Sequence, residues 1–198
     1  MNKREIKKYL HQLRPYILFA SVIFTLAVFI GYFVAQNFPE EVMRILEKVK
    51  KELGPLGDIT NFELFLIIFE QNVSALLLSI IFGIFLGIIP CFSVFTNGLI
   101  LGIIIFEMLN EYSWEILLVG ILPHGIIEIP VLIVSSAIGI RIGKAVLWKI
   151  FKRQGSIKKE FKQALKFFLY VLLPLLFLAA LIEAFVTSAL LSLFVTAY

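Results

Sequence analysis

The sequence is poor in the residues on which soluble chemistry depends. Of its 198 residues one is cysteine, Cys91, two are histidine, and only 16% are charged. A lone thiol excludes an internal disulfide and any metal site built from several cysteines, and Cys91 lies inside an apolar run. Two histidines fall short of the His-rich sets that commonly bind zinc. So few charges cannot coat a water-soluble globule. What takes their place is apolar: 60% of the chain is hydrophobic and its mean hydropathy is +0.97, outside the range of soluble domains.

The bilayer is therefore the solvent in which to read the chain. A hydrocarbon core about 30 Å thick needs about 20 apolar residues per helix. The length accommodates five or six passes and no separate soluble domain, which makes residues 1–198 a single membrane domain. The net charge of +4 does not point to nucleic acid, because Lys and Arg fall in blocks beside apolar runs, where they set topology and meet anionic lipid. The first apolar run, Tyr16 to Phe33, is too long for a signal-peptide core and has no clear cleavage site after it, so it reads as a retained anchor.

The expected fold class is all-α: a polytopic helical bundle with spans at about residues 16–34, 73–89, 91–108, 116–140 and 167–194. Lys3, Arg4, Lys7, Lys8 and Arg14 place the N-terminus in the cytoplasm. Residues 39–53 form an outer amphipathic helix, opened by Pro39, Glu40 and Glu41 and carrying Val42, Leu46, Val49 and Leu53 on one stripe. Thr60 and Glu63 have the spacing of a capping box. Glu70, Gln71 and Asn72 interrupt the next apolar segment, which predicts a half-helix over 61–72. Pro90 predicts a turn between spans two and three, joined as a tight hairpin. Pro123 predicts a second break, with a half-helix over about 114–123. Residues 141–166 carry nine Lys and Arg against one Glu and read as a basic cytoplasmic loop, after which the last span leaves the C-terminus outside.

Gly83 with Gly87 and Gly98 with Gly102 are G-x-x-x-G pairs; together with Gly125 and Gly139 they are the expected close helix contacts. Ionisable side chains inside hydrocarbon cost roughly 2.5–3.5 kcal/mol on insertion scales, so His124, Glu128 and Glu183 call for an explanation. His124 and Glu128 are spaced i, i+4 and share a helix face. With Asn72 and Asn97 they form a candidate intramembrane polar cluster. Three readings stay open for it: a satisfied network that fixes helix register, a proton or ion site at a broken helix, or a metal site in which His124, Glu128 and Glu183 could hold zinc. Glu70, Glu107 and Glu115 read as solvated helix ends.

The stretch Leu122-Pro123-His124-Gly125-Ile126-Ile127-Glu128, with Asn97-Gly98 and Gly102 before it and Ile182-Glu183-Ala184-Phe185-Val186-Thr187 after it, resembles the stage II sporulation protein M family of prokaryotic membrane proteins, which has archaeal relatives. The likeness covers roughly residues 70–190; it departs at Thr187-Ser188, where a proline is expected soon after the threonine. It implies a multi-pass protein of a prokaryotic plasma membrane. The family's founding member acts in engulfment during endospore formation, in a membrane complex with a peptidoglycan hydrolase and a third protein. The expectation is thus a non-enzymatic component of a membrane complex, a homo-oligomer or a partner of other membrane proteins, with no cofactor and no catalytic residue. The alternatives are a transporter or channel for a small solute or ion using His124, Glu128 and Glu183, and an intramembrane metal-dependent hydrolase.

Overall fold

The computed structural model describes residues 1–53, 59–111, 114–152 and 156–190; the side chains at 46, 48–53, 115 and 120–124 lie outside that description. Helix is the only regular structure among the described residues. In chain order the helices are α1 (Lys3–Asn37), α2 (Pro39–Leu53), α3 (Asn61–Ile81), α4 (Ile88–Glu111), α5 (Trp114–Lys152), α6 (Ile157–Phe167) and α7 (Leu173–Leu181). A 3-10 turn, Phe82–Ile84, extends α3, and π-helical stretches at Phe168–Leu172 and Ile182–Thr187 lie before and after α7. Five segments are long and apolar enough to cross a membrane: Lys3–Asn37, Asn61–Ile84, Ile88–Glu111, Gly125–Lys152 and Ile157–Leu190. The protein is an α-helical membrane protein. The capping box forms as its spacing requires: the Thr60 hydroxyl accepts from the Glu63 amide at 3.3 Å and the Glu63 carboxylate accepts from the Thr60 amide at 2.8 Å.

Packing pairs the helices in a definite order. Helix α4 runs parallel to α1, with Gly98 set against Phe24 and Ala27, Gly102 against Val28, and the Tyr32 and Phe106 rings edge to face at 5.3 Å. A Cβ at Gly98 would lie 2.6 Å from the Phe24 carbonyl oxygen, so only glycine permits this approach. Helix α3 runs parallel to α5: Asn72 faces Glu128, Leu76 faces Ser135, and Gly83 meets Gly139 backbone to backbone. Helix α7 returns antiparallel to α3, where Phe177 meets Phe65 and Phe69 edge to face and Ala180 and Ala184 close on Phe65. Successive spans therefore alternate in direction.

Several local expectations are corrected. Helix α3 passes through Glu70, Gln71 and Asn72 without a break, and α5 passes through Pro123 and Pro130 as one helix of 39 residues. A proline deletes one ladder hydrogen bond, but in a bilayer opening more of the backbone costs further, so neighbouring helices hold the segment helical across it. Pro174 is absorbed differently. The carbonyl it would crowd belongs to Tyr170, inside the π stretch Phe168–Leu172, where the wider turn gives room. The turn between α3 and α4 falls at Leu86 and Gly87, both with positive φ of 57° and 77°, and not at Pro90. Pro90 is the third residue of α4, where a missing N–H leaves no hydrogen bond unmade. Spans two and three are joined by this tight turn at Leu86 and Gly87, but most of their packing lies elsewhere: the Gly98/Gly102 face engages α1, while α3 packs mainly on α5 and α7.

The basic segment is mostly helix, not loop: it forms the last turns of α5 and all of α6. Its Arg141 makes a two-point ion pair with Glu160, Nε to Oε2 at 2.9 Å and Nη2 to Oε1 at 3.1 Å. The same guanidinium lies 5.1 Å from the centre of the Tyr9 ring, which in turn packs on Phe167. The N-terminal turns of α1, the end of α5 and α6 are thereby tied into one charged end of the bundle.

Candidate functional site

Asn72 lies on α3, half-buried, and Glu128 lies on α5 with 8% of its surface exposed. Parallel packing of these helices brings them together: Asn72 Nδ2 donates to Glu128 Oε1 at 2.8 Å. One turn beyond Asn72 on α3 and two turns beyond Glu128 on α5, Ser135 Oγ donates to the Leu76 carbonyl at 3.0 Å in a fully buried position. The two bonds act as rungs along one helix seam. Ser135 is invisible to a search for ionisable groups; its one signal in the sequence is the small-residue run Ser135-Ser136-Ala137 that allows α3 to approach.

Asn72 and Glu128 also line a cleft of about 90 Å³, walled by Phe24, Leu76, Leu101 and Leu176. That volume holds about three waters at liquid density. Asn97 borders the same cleft from α4, where it is exposed and donates to the Ser93 carbonyl of its own helix at 2.8 Å, so its expected bond across a helix interface is replaced by one within α4. Three helices thus bring Asn72, Asn97 and Glu128 to one cleft.

Glu183 belongs to the last span. It is half-buried in the π stretch Ile182–Thr187, against α3 and α5, and does not line the cleft. The stretch is held by hydroxyls bonding five residues back: Thr187 Oγ1 donates to the Ile182 carbonyl at 3.4 Å and Ser188 Oγ to the Glu183 carbonyl at 3.2 Å. Such local widening of a helix is frequent at functional positions. His124 belongs to α5 one turn before Glu128, but its side chain lies outside the described residues. Among the described residues no three His, Cys, Asp or Glu side chains converge closely enough to hold a metal ion. Glu107, read from the sequence as a solvated helix end, has its Oε1 shut away from the surface. Glu70 is exposed, and Glu115 lies outside the described side chains.

Of the glycines singled out, Gly83, Gly98, Gly102 and Gly139 each sit where a Cβ would strike a neighbouring backbone or side chain; Gly87 forms the turn, and Gly125 is half-buried. Gly31 and Gly143 join this set, the first against Leu99 and the second against Leu86 and Gly87. Gly143 makes a further G-x-x-x-G pair with Gly139, whereas Gly31 has no glycine at that spacing.

No solved structure matches the chain. It is similar to an uncharacterised protein of Methanocaldococcus jannaschii, 27% identical over 195 residues that cover 93% of this chain and 86% of the relative. The family model described as Stage II sporulation protein M matches residues 20–188, which take in all of the cleft, the π stretch at Ile182–Thr187 and the glycine contacts. The chain belongs to the stage II sporulation protein M family.

Proposed function

We propose that this protein is a non-catalytic component of a plasma-membrane complex, in which the buried polar seam between α3 and α5 fixes the register of the bundle that partners bind. The observation that carries the reading is the 2.8 Å bond from Asn72 to Glu128, a pairing of side chains on two spans beside a small cleft. A buried carboxylate is costly in an apolar medium unless it is hydrogen-bonded, and a bonded one discriminates sharply against slipped helix pairings. His124 on α5 and Glu183 on the last span take structural roles, with no metal required. The charge pattern supports an N-terminus in the cytoplasm and a C-terminus outside.

A second reading draws on the cleft itself, whose Asn72, Asn97 and Glu128 present the oxygen donors of a proton or small-cation site. The complex reading is tested by the native mass of the protein in its own membranes, solubilised mildly and compared with Glu128→Ala. A species well above the 22.5 kDa monomer that is lost in the variant supports the complex. A monomer in both cases contradicts it.

A further inference from the structure

At the charged end of the bundle, two adjoining hollows of about 250 and 410 Å³ lie between the N-terminal turns of α1 and helix α6. Gln12 and Gln163 line both, which makes them one continuous polar groove. Lys8, Lys166 and Lys159 reach it, along with Arg141 and two carboxylates, Glu5 and Glu160.

The carboxylates are already engaged. Glu5 Oε2 accepts the Asn2 amide at 3.1 Å in the capping box of α1, and Glu160 is held on Arg141. The three lysines have no carboxylate within ion-pair range among the described residues, and Gln12 and Gln163 have no hydrogen-bond partner there. Uncommitted ammonium groups flanked by neutral amide donors, with the local anions occupied, form a receptor for an anion that carries several acceptor oxygens. Just beyond Lys166 along the chain, Leu169 and Tyr170 are exposed and apolar, as is Leu165 before it. A ligand lodged here would meet charge at one end and hydrocarbon at the other.

We propose that this groove binds the phosphate of an anionic lipid headgroup, with Lys8, Lys159 and Lys166 as its cationic contacts, Gln12 and Gln163 as neutral donors, and the acyl chains lying over Leu165, Leu169 and Tyr170. The ion pair of Arg141 and Glu160 sets the angle of α6 and so the width of the groove. The site is a specific one, distinct from the diffuse attraction of basic residues to an acidic membrane surface.

The test is titration of the purified full chain in neutral detergent micelles with phosphatidylglycerol, phosphatidylcholine or inorganic phosphate at matched ionic strength, read by native mass spectrometry and thermal shift. A lysine near an anionic headgroup contributes about fivefold in affinity, so Lys8→Gln with Lys166→Gln should weaken phosphatidylglycerol binding about 25-fold. The paired control Lys149→Gln with Lys152→Gln removes the same charge from the end of α5, outside the groove, and should change binding less than about twofold. All four positions are exposed, and equal melting in neutral micelles establishes that each variant is folded. Preference for phosphatidylglycerol over phosphatidylcholine, lost in the groove pair and kept in the control pair, supports the site. Equal losses in both pairs, unchanged binding in the groove pair, or saturation by inorganic phosphate without lipid binding would each overturn it.

Discussion

Asn72 and Glu128 stand 56 residues apart in the sequence, and the Asn72 amide donates to the Glu128 carboxylate across 2.8 Å between two parallel spans. Removing either partner leaves the other inside the bundle without that bond. Glu128→Ala should therefore destabilise the detergent-solubilised protein by about 1–3 kcal/mol. A double-mutant cycle with Asn72→Ala should give a coupling of about 0.5–2 kcal/mol, the range of polar pairs between membrane helices. Strict additivity would show that the two side chains do not act together.

Arg141 and Glu160 tie α5 to α6 with side chains only 14% and 21% exposed, an environment between a surface pair and a buried one. Arg141→Ala should cost about 1–3 kcal/mol in urea or thermal unfolding. Arg141→Lys should recover only part of this, because an ammonium cannot make the two-point contact or stack as well on Tyr9. Full rescue by lysine would reduce the contact to simple charge attraction.

Gly98 and Gly102 let α4 lie directly on the backbone of α1. Gly98→Leu should lose at least about 1–3 kcal/mol through overpacking, and less folded protein should be recovered from membranes. Ile100→Leu, on the exposed side of the same helix, is the matched control and should be neutral. Equal behaviour of the two variants would mean that α1 and α4 are not in contact.

The number of spans, the helix over 39–53 and the capping box at Thr60 are legible because each has a local signal: apolar length, an amphipathic stripe, a fixed spacing. Glu128 and Asn72 stood out for the same reason, as polar groups that hydrocarbon tolerates poorly. Partners were not legible. Nothing near Gly98 says that it meets Phe24 and not the neighbouring span, and nothing near Asn72 names Glu128. Proline was over-read: Pro123 and Pro130 stay within one helix because bundle packing outweighs one lost hydrogen bond, whereas the break at Leu86 and Gly87 needed a positive φ that leucine does not advertise. The π stretch around Glu183 has no periodic signature, and Thr187 and Ser188, whose hydroxyls bond five residues back within it, do not announce it in the sequence.

The charge asymmetry predicts opposite sidedness for the two ends of α5. In a Cys91→Ala background, Asn110→Cys should react with an impermeant maleimide from outside and Lys158→Cys only from the cytoplasmic side. Both residues are exposed in the structure, so access is not limited by packing. Labelling of both from one side would remove a crossing between them.

The most direct measurement of the structural role of Glu128 is proton and alkali-cation flux in proteoliposomes, made with the wild-type chain and with Glu128→Gln and paired with the melting temperature of each. The amide oxygen of glutamine can still accept the hydrogen bond from Asn72, but the side chain cannot exchange a proton. The account predicts that both proteins give the flux of empty vesicles and that the variant melts close to wild type, well above Glu128→Ala. A wild-type flux above background that Glu128→Gln abolishes without unfolding the protein would contradict the account and make the cleft an ion pathway.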